Sequence, residues 1–534
     1  MKRSILFLFV FVLTCTLLGH PTQPVQAAAS LFASPTGTGT SCLESAPCTL
    51  QTAAANAGSG DFIYVKEGIY TRSSTYDEVV KFDRFVIVTG SCIFDGVDGT
   101  PPVCGQAEPH RSIIDGQYSQ RGILIENPGV PTPPNVYLHH LTIRNGEADE
   151  VDLSTCTADL GYTVGGCGGG IFINGAGIIY LNDIVFDNNQ AGNMLTNTEA
   201  GFGGGVYLQD TWDVTITDSV FKNNNATYSG QGFGGGIFAT NIGNELIVEN
   251  STFRSNDCTT TNSTQSKGCG AMFYDSEDIF VQHNTFTNQN SSSASVIKGS
   301  ALFFLRNHSF EVSNNNFSAN NQGSSVLGAD KSSNTSLDII AGNTFYDNDL
   351  ALNLIQYEGK YWVNIYNNFF NHYHPTVSRG GPAFTAINLS SNYVSPLKSI
   401  ANIYHNSISI ADYGMKISDN FILIIKNNII AYTYLMGINL PSSPTNMSTS
   451  FKTNLFYSNF GGDGIYDPSS VTQDPWFINL HTDLHIQANS KAIDRGTSGT
   501  GITTDIDGDP RPNSGYDIGA DEAFGRFYMP VIFR

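Results

Sequence analysis

Few stretches of this chain carry side chains suited to chemistry. The densest is His372-Tyr373-His374 with Arg379, on a loop after Asn367-Asn368-Phe369-Phe370. Histidines at i and i+2 share one face of a strand, where they can hold a metal or a proton; on a loop they need not align. His139-His140 precedes the apolar run Leu141–Ile143 and splits across the two faces of a strand. Asp505, Asp507 and Asp509 alternate like the opening of a calcium loop. An EF-hand needs Gly at its sixth position and Glu at its twelfth, and here those are Pro510 and Tyr516. Calcium is therefore a possible ligand but no cofactor is required, and the other reading is a turn in which Arg511 neutralises the acids. A last group is aromatic: Tyr357, Tyr361, Trp362, Tyr366, Tyr373 and Tyr404, planes on which sugars stack, unless alternate members belong to the core.

The elements that position these residues follow from composition and repetition. In 534 residues, 14% are charged, acids outnumber bases 47 to 26, and there are 54 glycines. The net charge of −21 excludes a nucleic-acid partner held by a basic surface. Lys2 and Arg3, an apolar run from Ile5 to Leu18, and Ala27-Ala28-Ala29 have the order of a secretory signal peptide, with cleavage expected near Ala29. The run is too short to span a bilayer, so no transmembrane segment is expected after cleavage. The expected location is the exterior or surface of a bacterial cell.

Without Cys15, eight cysteines remain, in neighbouring couples: Cys42 and Cys48, Cys92 and Cys104, Cys156 and Cys167, Cys258 and Cys269. In an exported chain an even number indicates disulfides, and local pairing is the expected connectivity. No couple has metal-site spacing.

Phe186-Asp-Asn-Asn189 recurs as Phe221-Lys-Asn-Asn224, Phe253-Arg-Ser-Asn256, Phe317-Ser-Ala-Asn320 and Phe345-Tyr-Asp-Asn348, with a weaker copy at Phe286 where Gln289 replaces the last Asn. Gly168-Gly169-Gly170-Ile171, Gly203-Gly204-Gly205-Val206 and Gly234-Gly235-Gly236-Ile237 lead the early copies. Later copies keep a strand-and-Asn half, as in Val363–Asn368 and Ile424–Ile429. Each copy of about thirty residues is too small to fold alone. Stacked at about 4.8 Å, the copies bury one another's Ile, Val and Phe, and asparagines repeated at a turn bond from coil to coil. The glycine runs lead into strands and recur, so they are turns and not phosphate loops.

These repeats, with the opening Pro47–Ala53 and Gly60–Val65, resemble the right-handed parallel β-helix proteins of the pectin-lyase-like fold. The Gly-Gly-Gly-Ile and Phe-x-x-Asn phrases resemble polymorphic outer-membrane protein repeats, without the membrane barrel of those proteins. Asp474–Phe477, Ala492–Asp494, Asp505–Arg511 and Asp517–Glu522 resemble the closing region of choice-of-anchor Q exported proteins. The expectation is an all-β solenoid of about a dozen coils: signal peptide 1–29, cap with a short helix 30–60, β-helix 61–470, closing region 471–524 and tail 525–534.

The resemblance implies an extracellular polysaccharide or cell-surface glycan as partner. The polygalacturonase phrases Asn-Thr-Asp, Asp-Asp, Gly-His-Gly and Arg-Ile-Lys are absent. The expected function is therefore carbohydrate binding or surface adhesion. A polysaccharide lyase or glycoside hydrolase is the alternative. The candidate contacts are Tyr361, Trp362, Tyr366 and Tyr373, with His372, His374 and Arg379 as catalytic candidates. Oligomeric state is left open.

Overall fold

A computed structural model describes residues 28–523, except 73–76, 100, 107–109, 149–155, 157–159, 161–163, 193–199, 227–230, 259–265, 290–298, 321–324, 332–335, 349, 357–361, 373–383, 392–397, 445, 466 and 513–514. The signal-peptide and tail expectations lie outside these residues, as do Tyr357, Tyr361, Tyr373, His374 and Arg379.

Thr49 begins the helix Leu50–Asn56 by accepting the Thr52 amide on its side chain at 3.1 Å. Leu50, Ala53 and Ala54 turn inward and close the end of the solenoid. Beyond it the chain winds as a right-handed parallel β-helix. Among the described residues one parallel sheet holds 12 strands, from Glu78–Phe82 to Met436–Asn439, one for each coil. The larger parallel sheet receives two strands from most coils, such as Asp213–Thr217 and Val220–Lys222. Alternation sets the faces: in Asp213–Thr217, Val214 and Ile216 are buried between half-buried polar neighbours.

Stacking aligns like with like. Val214 pairs with Leu246, and Ile216 with Val248. The repeated phenylalanines form one column: Phe186, Phe221, Phe253, Phe286, Phe317, Phe345 and Phe370, with successive ring centroids 4.6–5.1 Å apart. Such pairs contribute about 0.5–1.5 kcal/mol each beyond area burial.

Two asparagine ladders mark two different corners. Asn189, Asn224, Asn256, Gln289, Asn320 and Asn348 form one; Gln289 takes its place by accepting from Asn256 Nδ2 at 3.2 Å. The second runs through Asn284, Asn315, Asn343, Asn368, Asn406, Asn428 and Asn454, each backbone amide donating to the next side-chain oxygen at 2.8–3.0 Å. The later Asn-Asn phrases thus belong to the second corner and are not worn copies of the first. Both ladders follow residues with left-handed backbone, among them Asn314, Asn367, Asn427 and Asn188. The glycine runs serve a third corner: Gly203 has φ 63°, and a Cβ on Gly205 would lie 2.6 Å from the Gly236 carbonyl.

All four disulfides join the expected neighbours, Cys42–Cys48, Cys92–Cys104, Cys156–Cys167 and Cys258–Cys269. They fit an oxidising, extracellular compartment. Among the described residues no helix is long and apolar enough to cross a membrane.

Candidate functional site

After the last coil the chain folds back along the second ladder. The Asn454 carbonyl accepts from Val471. Thr497 and Asn427 exchange two bonds, Ala520 donates to Ser407 Oγ at 3.1 Å, and Asn371 donates to the Leu480 carbonyl at 3.0 Å. Phe477, Leu484, Ile486 and Ile518 pack here against Phe369, Ile429 and Leu455. Burial of this apolar surface seats the segment, and the freed corner groups give it register.

The cover stops at the coil of Asn367–Phe369. Beyond it the corner residues His283, Asn314 and Gly342 meet the edge of the closing region, and an open cleft of about 890 Å³ lies between them. Asn315, Asn316, Thr344, Phe369, Thr482, Asp483, His485, Ile506, Asp507 and Gly508 complete its walls. The lining carries amides, hydroxyls, carboxylates and imidazoles beside apolar surface, with no Lys or Arg among the described residues.

His485 is held on three sides within the cleft. It stands in the hairpin of Phe477–Asn479 and Asp483–Ile486. Its Nδ1 bonds the Asp483 carboxylate, its Nε2 lies 2.9 Å from Asp507 Oδ2, and its ring sits edge-on to Phe369 with centroids 4.9 Å apart. Burial opposes charge on this imidazole. The Asp483 hydrogen bond and the fields of Asp521, Asp507 and Asp483 outweigh it, so the pKa is raised above the ordinary histidine value. Burial also raises Asp521, whose Oδ2 accepts the Ile486 amide at 2.7 Å.

The three alternating aspartates differ in their surroundings. Asp505 accepts the backbone amides of Asp507, Asp509 and Glu522 at 2.8–2.9 Å and so shapes the loop. Asp507 alone of the three joins a cation-sized group, with His485 and Asp521. Arg511 pairs with Glu522 at 2.8 Å; burial raises the Asp505 pKa, and the Arg511 charge offsets part of that rise.

His372 is occupied as well. Its Nδ1 donates to the Asn348 carbonyl at 2.7 Å, where the first ladder ends, and its ring stacks on Phe384. Trp362, 39% exposed, and half-buried Tyr366 share the outward face of their strand with Asn364, which accepts from Asn402 on the next coil. Tyr404, paired in register with Tyr366, is nearly covered. His139 and His140 do not split across two faces: left-handed His140 (φ 55°) breaks the alternation, and both are half-buried with ring centroids 6.2 Å apart. His139 lies 3.4 Å from Asn182 Oδ1 while His140 turns to Asp183. Sequence reasoning missed Asp483 and His485, whose i, i+2 spacing on a strand was the available signal.

No family model matches the chain, and no curated protein matches it. Among solved structures it is similar to the pectate lyase Pel9A, at 13% identity and TM-score 0.31, over 93% of this chain and 96% of that one. It is also similar to XylC, solved in complex with xylose, at 10% identity and TM-score 0.37, over 92% and 98%. The fold rests on the stacked rungs themselves, a right-handed parallel β-helix.

Proposed function

We propose that this is an extracellular β-helix protein that binds carbohydrate in the cleft between its corner column and its closing region. The observation that carries the reading is the lining of that cleft. Asn314, Asn316, Thr344, Thr482, Asp483 and Asp507 offer the paired donors and acceptors that sugar hydroxyls require, beside the apolar surface of Phe369 and Ile506. The carboxylates and the net charge of −21 favour a neutral glycan over a polyuronate. Trp362 and Tyr366 offer a stacking surface on the coil of Phe369.

A second reading is favoured by one arrangement, His485 between Asp483 and Asp507. Glycoside hydrolysis needs a positioned proton donor or acceptor, and a histidine with a raised pKa held by two carboxylates can supply that one role. A lyase reading has less support, since no Lys or Arg lines the cleft among the described residues.

Incubating the purified mature chain with a panel of neutral and acidic polysaccharides, with and without calcium, tests both. Retention on a neutral polysaccharide without chain shortening is the expected outcome. Shortening without unsaturated ends would replace binding by hydrolysis, and calcium-dependent unsaturated ends would replace it by a lyase. No retention on any member would refute the reading.

A further inference from the structure

Away from the cleft, near the capped end, three ligand-bearing side chains converge from separate segments. His110 lies just before the strand Ser112–Asp115, His140 stands in Val136–Arg144, and Asp183 in Ile178–Asp187. His139 pairs with Asn182 and Leu141 with Ile184, so His140 stacks on Asp183 at one corner of adjacent coils. Both have left-handed backbone, φ 55° and 57°.

The Asp183 carboxylate faces both rings, with His110 Nε2 2.8 Å from Oδ1 and His140 Nδ1 2.7 Å from Oδ2. One ligand atom from each of the three lies within 4.8 Å of the other two. The His110 side chain is 0% exposed, whereas His140 and Asp183 are each 29% exposed, so the group is buried on one side and open on the other.

The surroundings hold these rings in place. Ser91 Oγ donates to the His140 carbonyl at 3.2 Å and accepts the Arg111 amide at 3.1 Å, tying both histidine backbones to one hydroxyl. Thr142 Oγ1 donates to the His110 carbonyl at 2.9 Å. Gly105, beside the Cys92–Cys104 disulfide, closes over His140, and a Cβ there would come within 2.7 Å of the ring. Only glycine leaves room for the imidazole.

We propose that His110 Nε2, His140 Nδ1 and an Asp183 carboxylate oxygen form a binding site for a divalent transition metal ion of the zinc type, with the remaining coordination position facing solvent. Two imidazoles and one carboxylate suit borderline ions such as Zn²⁺ and disfavour Ca²⁺, which takes six or more oxygens. The dication offsets the carboxylate at the junction, and its ligands come from three separate segments of adjacent coils. Binding to the folded state alone stabilises that junction.

The mature chain, carrying no histidine tag and stripped with chelator, is titrated calorimetrically with Zn²⁺ and separately with Ca²⁺. One saturable Zn²⁺ site is expected, with at least tenfold weaker binding in His140→Ala and in Asp183→Asn, and no loss of that site in His485→Ala. Absence of saturable Zn²⁺ uptake overturns the proposal, and so does uptake unchanged by His140→Ala. Co²⁺ added to the unaltered chain gives a reading that needs no variant. Paramagnetic broadening of the His110 and His140 imidazole resonances supports the site, while broadening confined to other histidines overturns it.

Discussion

Arg511 Nη2 donates to Asn367 Oδ1 at 3.1 Å, joining two residues 144 positions apart. Asn367 is the left-handed corner residue of its coil, with φ 54°, and its own Nδ2 donates to the Thr504 carbonyl at 2.7 Å. The same guanidinium holds Glu522 through Nη1 at 2.8 Å and the Gly519 and Ala520 carbonyls through Nη2. One buried cation therefore fastens the closing region to the β-helix and fixes the loop that carries Asp507. A wall of the cleft depends on it.

Replacing Arg511 by Ala leaves Glu522, 5% exposed at its side chain, without that cation. Breaking a buried pair by removing one partner costs about 3–5 kcal/mol. Amide exchange across residues 477–522 should accelerate by at least a hundredfold while the coils from Glu78 to Ile340 keep their protection. Equal acceleration in both would mean that the closing region is not a separately anchored unit.

The closing region should also lose stability as pH rises from 6.5 to 8. Burial pushes Asp517 up to about 7, above its unfolded value, so its carboxyl ionises in this window only in the folded chain. His485, also raised above its ordinary value by its carboxylate neighbours against burial, acts in the same sense. Both make the native state bind more protons than the unfolded one, so stability falls with pH. The Asp517 contribution alone is about 1 kcal/mol over the window. His405, whose burial lowers its pKa well below the ordinary value, acts in the opposite sense as pH rises through the ordinary histidine range and offsets only part of this loss. Exchange rates of residues 477–522, corrected for intrinsic pH dependence, report the slope, and a flat or rising profile would contradict this assignment.

The ladders make a third prediction. Asn343 is fully buried, accepts the Asn315 amide, and donates to the Val312 carbonyl and to Asn368 Oδ1. Asn343→Leu orphans these groups at about 1–3 kcal/mol each. The urea midpoint should drop clearly, whereas Asn364→Leu on the outward face should move it little. Equal shifts would show that the ladder adds nothing beyond solvated asparagines.

Much of this architecture was legible because stacking repeats its own signal. Phe186, Phe221 and Phe253 recur at nearly fixed spacing because each must lie over the last, and the same constraint exposed the asparagines and glycines. Paired cysteines were readable for a related reason, as local loops close locally. The cleft was not readable. Its walls come from His283 and Asn314 on one side and His485 and Asp507 on the other, brought together by a return of the chain along its own flank that no local period encodes. His110, His140 and Asp183 were hidden likewise, because their meeting depends on register between coils of unequal length. The Asp505 alternation was visible but ambiguous, since backbone amides and cations ask for the same carboxylate oxygens.

The most direct test of the carbohydrate reading is the affinity of the chain for the neutral polysaccharide that retains it, compared among three variants. Thr482→Ala and Asp507→Asn alter the cleft, and Trp212→Ala alters an exposed aromatic outside its lining. The account predicts at least a tenfold loss in each cleft variant and none in Trp212→Ala. Retention that survives both cleft substitutions would place the glycan elsewhere and contradict the central claim.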